Sequence, residues 1–143
     1  MTDKIRAPWL SIVLAGLLAF VSSMVINAAT VAGYAMALAI KAQGPPDANK
    51  IAAFAGRFMP VLGPIVLSLL VIIAARWVVR RVRSMPVLFG ILVGVVAALP
   101  TVVFLRRPGL GDLIGFILPP LAGGLGALSA RRGLRGTLPQ EAT

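Results

Sequence analysis

APWLSIVLAGLLAFVSSMVINAATVAGYAMALAI, residues 7–40, contains no Asp, Glu, Lys, Arg or His. Coiled as one α-helix it would be about 50 Å long, against about 30 Å for the hydrocarbon core of a bilayer. A soluble domain could not bury a helix this apolar on every side, whereas lipid solvates it without penalty. Pro8 and Trp9 open the run, which suits a first helical turn and an aromatic at the membrane interface. Apolar density is highest from Leu10 to Ile26 and softens through Asn27, Thr30, Gly33 and Tyr34. The second part of the run therefore reads as an end that projects beyond the bilayer or packs on protein. A cleaved leader fits poorly, because the apolar stretch is too long and continues past Asn27-Ala28-Ala29. Gly44-Pro45-Pro46 ends the helix.

The rest of the chain repeats the theme. Arg57-Phe58-Met59-Pro60, Arg83-Ser84-Met85-Pro86 and Arg107-Pro108 each precede another apolar run. The expected fold is an all-α integral membrane protein with four transmembrane helices, over about 9–40, 60–79, 86–105 and 108–130. Residues 1–135 form one transmembrane domain and 136–143 a disordered tail. Asp47 can cap a short helix over 47–58, whose Ile51, Phe54, Ala55 and Phe58 share one face. That segment would lie at the interface or pack on the end of the bundle. Pro119-Pro120 predicts a kink or break in helix four, because ten uncharged residues before Arg131 are too few for a span of their own.

Composition agrees. The chain is 59% hydrophobic and 13% charged, with a mean hydropathy of +0.97, outside the range of soluble domains. The formal charge of +10 sits beside the spans and on no separate basic module. It reads as topology and attraction to anionic lipid headgroups, so nucleic acid is not an expected partner. Nine basic residues fall on the side of the termini and five, Lys41, Lys50, Arg57, Arg106 and Arg107, on the other. That asymmetry predicts both termini in the cytoplasm. Trp9, Arg76, Trp77, Arg80, Arg81 and Arg83 are expected to anchor the chain at the membrane surface. The Arg-, Ala- and Gly-rich usage suggests a bacterial inner membrane.

Chemistry is thinly represented. With no Cys and no His, thiol redox, thiolate or imidazole metal sites and imidazole-ligated haem are excluded. Ser or Thr has no histidine base, and Asp112 is the one carboxylate expected in or near a span. Asp112 could serve a proton or cation path. It equally suits the first turn of helix four, where the helix dipole and Arg106 and Arg107 would neutralise it. No enzyme, cofactor or metal is expected. Asn27 and Thr101 read as interhelical hydrogen-bonding groups or lining of a pathway, and Ser68 as a hydroxyl returning to its own helix. Pro100, Pro119 and Pro120 would free backbone carbonyls.

Small residues recur every four positions at Ala29/Gly33/Ala37, Gly90/Gly94, Gly111/Gly115 and Ala122/Gly126, which predicts close helix packing within the chain or with neighbours. Arg57-Phe-Met-Pro-Val-Leu and Arg83-Ser-Met-Pro-Val-Leu match at five of six positions. Either they are remnants of an inverted repeat or each independently starts a helix. The expected function is a small accessory subunit of a larger bacterial membrane complex, for instance an energy-transducing one. It would act through packing against other subunits or copies of itself and through lipid, pigment or quinone contacts. The alternative is a self-associating transporter or channel with a pathway near Asn27, Thr101, Asp112, Pro119 and Pro120.

Overall fold

A computed structural model describes residues 3–81, 85–104 and 110–135, with side chains over 9–80, 85–101 and 113–131. Four helices follow in order: α1 (Asp3–Ala42), α2 (Ala48–Arg81), α3 (Pro86–Phe104) and α4 (Leu110–Arg135). The described residues contain no strand. α1, α2 and α4 are each long and apolar enough to cross a membrane, and α3 contributes a shorter apolar segment, Pro86–Thr101.

The long first helix follows from the absence of any breaker between residues 9 and 42. It stops where Gln43 turns left-handed, with φ 49°. There the Gly44 N–H donates to the Ala39 carbonyl at 3.3 Å and the Gln43 N–H to that of Ile40 at 3.4 Å. This is a helix stop of the Schellman kind, with glutamine where glycine is usual. Two prolines follow, and Asp47 restarts the chain. Its Oδ1 accepts from the Asn49 N–H at 2.9 Å and the Lys50 N–H at 3.4 Å, which caps α2 as the sequence predicts.

Beyond that cap the expectation of a separate helix over 47–58 is corrected. Helical backbone runs through Pro60 and Pro64 to Arg81. Each proline removes one N–H, and neighbouring groups in a helix bundle can compensate for that loss. Of the Ile51/Phe54/Ala55/Phe58 face, Phe54 meets α1, where Tyr34 stacks on it at 4.0 Å, and Phe58 follows Phe54 at 4.9 Å along α2. The two similar hexamers therefore sit differently: Pro60 lies inside a helix, whereas Pro86 begins one. α4 also runs unbroken through Pro119 and Pro120, so the expected break is absent.

The topology is up-down-up-down. Antiparallel register of α1 and α2 is fixed by Asn27 against Gly63 and Tyr34 against Phe54. α3 runs alongside α1, with Phe89 by Trp9 and Val96 by Gly16. α4 runs alongside α2, with Gly115 by Pro64 and Gly126 by Ile72. Among the described residues, α1 and α4 do not meet.

The core occupies one end of this arrangement. α1 buries Ile12, Ala15, Gly16, Ala19 and Ser23, a three-to-four-residue stripe along one face. Ile12, Ala15 and Ala19 of this stripe pack with Leu67, Val71, Val78, Val93 and Ala97. From residue 24 to residue 66 nothing is buried. α1 past about residue 30 and α2 before about residue 58 form an arm of two helices, held by the aromatic stack. At 1.5 Å per residue it rises about 16–20 Å beyond the other helices.

Candidate functional site

The arm joins the four-helix part at a cavity of about 230 Å³. α1 supplies Ser23 and Asn27, one turn apart; α2 supplies Pro60, Gly63 and Pro64; α3 supplies Thr101; α4 supplies Gly115. The wall thus draws on every helix.

Glycine and proline make the room. Gly63 faces the Asn27 amide, whose Nδ2 would stand at ordinary contact, 3.6 Å, from a Cβ placed there. The prolines shape the polarity. Pro64 has no N–H to give the carbonyl of Pro60, and Pro119 none to give that of Gly115. Of the carbonyls that lose their i+4 donor to a helix proline among the described residues, these two belong to residues lining the cavity.

Asn27 is the focus. Its Nδ2 donates to Ser23 Oγ at 3.5 Å, a long contact. Its Oδ1 is buried and accepts nothing. Turning the amide over would swap the two ends, with Ser23 then donating to Oδ1, and would again leave one end unsatisfied. A buried polar atom in that state costs about 1–3 kcal/mol. The site therefore has an open hydrogen-bonding position at Asn27 and is lined by Ser23 and Thr101 and by two residues, Pro60 and Gly115, whose carbonyls lack an i+4 donor. Among the described residues no charged side chain lines it and no cluster of metal-ligating side chains occurs. The described lining suits polar contact with a neutral group or ordered water.

The sequence-derived residues divide accordingly. Asn27 and Thr101 are brought together. Pro119 is fully buried elsewhere, against Gly94 on the α3–α4 contact, with Pro120 beside it. The Asp112 side chain, Arg106, Arg107, Pro108, Arg83, the Arg81 side chain and the tail 136–143 lie outside the described residues. Ser68 returns to its own helix as expected, donating to the Pro64 carbonyl at 2.7 Å. Of the anchors, Trp9 and Trp77 are about half exposed, Trp9 meeting Phe89 edge-on at 6.3 Å, and Arg76 and Arg80 are exposed. Sequence reasoning did not single out Pro60, Gly63 or Gly115 as lining. The available signal was a proline four residues after Pro60 and after Gly115.

No family model, no curated protein and no solved structure matches this chain.

Proposed function

We propose that this chain is a small accessory subunit, without enzymatic activity of its own, in a larger membrane complex of the bacterial inner membrane. An energy-transducing assembly is a fitting host, and both termini face the cytoplasm. The observation that carries this reading is the arm. With Trp9 and Trp77 at one interface, about twenty residues of α1 reach the other, near residue 29. Past that level Met36 and Ile40 remain 67% and 70% exposed, and Ala29, Gly33 and Ala37 are all exposed along α1. Lipid tails cannot cover this apolar surface, and a protein neighbour can. Small side chains permit the close backbone approach on which helix association in membranes depends.

The test is extraction of a C-terminally tagged chain in mild detergent. Larger membrane partners should be recovered in fixed ratio, and Gly33→Val should release them while the purified chain keeps its thermal stability. Recovery of wild type only as free monomer would overturn the reading. Orientation is checked separately by probing tags at both ends in intact cells. Access from outside, or removal of the chain by alkaline carbonate, would count against it.

A second reading draws on the cavity. The unsatisfied amide of Asn27 beside Thr101 suits a polar stopping place in a pathway assembled from several copies, with Asp112 near its entrance. Purified protein in liposomes should then pass an ion or small solute, and Asn27→Leu and Asp112→Asn should each change the flux. Absence of flux for a broad panel would sink this version.

A further inference from the structure

On the opposite half of the α1–α2 pair lies a second concavity, a groove of about 500 Å³ lined by Leu14, Leu18, Ser22, Leu70, Ile73 and Trp77, with Ala15, Ala19 and Ala74 as its floor. We propose that this groove holds one acyl chain of an anionic diacyl phospholipid, with the phosphate at Arg76 and Arg80.

Three observations select this occupant. The first is depth. The groove starts beside Trp77, an interfacial residue type, and ends at Ser22 and Leu70. Leu14 to Ser22 spans about 12 Å of helix, most of one leaflet of about 15 Å. A partner helix would need a track across the whole bilayer, whereas an acyl chain ends near its middle. The second is lining chemistry. Apart from the Ser22 hydroxyl and the Trp77 indole N–H, the lining side chains are aliphatic or aromatic carbon, suited to methylenes and offering little to a polar solute. The third is charge. Ile73, Trp77 and Arg80 follow one another at helical spacing, so the groove leads along one face of α2 to an exposed guanidinium, with Arg76 one turn below Arg80. The one ion pair among the described residues is Lys50 with Asp47, at the far end of the molecule. Guanidinium forks suit phosphate oxygens, and each basic residue near an anionic surface strengthens attraction severalfold. This inference needs a membrane around the helices and is independent of the accessory role.

The experiment is native mass spectrometry of the purified full chain in detergent, titrated with phosphatidylglycerol or phosphatidylcholine of matched chain length. One lipid should be retained, with a preference of roughly twentyfold for phosphatidylglycerol, and Arg76→Gln and Arg80→Gln should each lower that preference about fivefold. Ala74→Leu, which fills the floor, should weaken retention of both lipids. Should that variant lose helicity, Leu18→Ala gives the same reading, because Leu18 is 71% exposed and its truncation opens a wall without entering the core. Equal retention of the two lipids, non-saturating adducts, or retention unchanged by both groove variants would overturn the proposal.

Discussion

Two stretches of this molecule carry the same spacing of small residues and use it in opposite ways. On α3 and α4, Gly90 and Gly94 lie directly against Gly123 and Pro119. A Cβ at Gly94 would overlap the Pro119 carbonyl, and one at Gly123 would overlap that of Gly90. Backbone there meets backbone. On α1, Ala29, Gly33 and Ala37 are all exposed. A Cβ at Gly33 would meet nothing within 4 Å, and the same holds at Gly56 on α2. The spacing is thus a permission to pack and says nothing about the partner. What decides is whether other helices reach that level, and the described parts of α3 and α4 do not.

That contrast can be broken by substitution. Gly94→Val should have the largest effect, about 3 kcal/mol of lost stability, because the overlap is with backbone that cannot rotate away. Thermal unfolding in detergent measures it, and a loss below 1 kcal/mol would mean the α3–α4 contact is looser than described. Asn27→Leu, at the junction of the two regions, should raise stability by about 1.5 kcal/mol by removing an unsatisfied amide end. A decrease would show that a bound group satisfies Asn27 in solution. Tyr34→Ala should cost about 1 kcal/mol by unstacking Phe54, with faster hydrogen exchange confined to the arm. Exchange that also rises around Val93 would mean arm and core are one cooperative unit. Gln43→Gly should gain about 0.5 kcal/mol, the relief of a left-handed glutamine less the greater freedom of glycine in the unfolded chain. Gly33→Val is expected to move stability by less than about 0.5 kcal/mol. Its effect should appear only in association, which separates the open stripe from the closed one.

The all-helical fold, with helices long and apolar enough to cross a membrane, was legible in the sequence because apolar runs of this length admit few alternatives. The Asp47 cap was legible because a carboxylate before a run of good helix formers has one obvious role. The extent of α2 was not. Lys50 and Arg57 made 47–58 resemble a surface segment and Pro60 resemble a helix start, yet no chain-terminating conformation separates the two parts. Proline marks both starts and interiors of membrane helices, and only tertiary neighbours distinguish Pro60 from Pro86. In the candidate site, Asn27 and Thr101 stood out as polar residues in apolar runs. Their meeting depended on the register between α1 and α3, which is set by packing such as that of Gly16 on Val96 and leaves no local trace. The two carbonyls were hidden for a different reason: each is recognised by the proline four residues later and by nothing in its own residue type.

The uncharged length of α1 has a mechanical consequence. Between Ala7 and Ile40 no ionic group marks a height in the membrane, so α1 considered alone could slide along the bilayer normal like a piston rod, exchanging one apolar turn for the next at little cost. Its vertical position is borrowed from α2, whose Arg57 and Arg76 bracket a bilayer-length interval and which is clasped to it at Tyr34–Phe54 and along the core. A force applied at the Gly44–Pro46 tip would therefore be transmitted through that clasp to the whole hairpin as a single stroke.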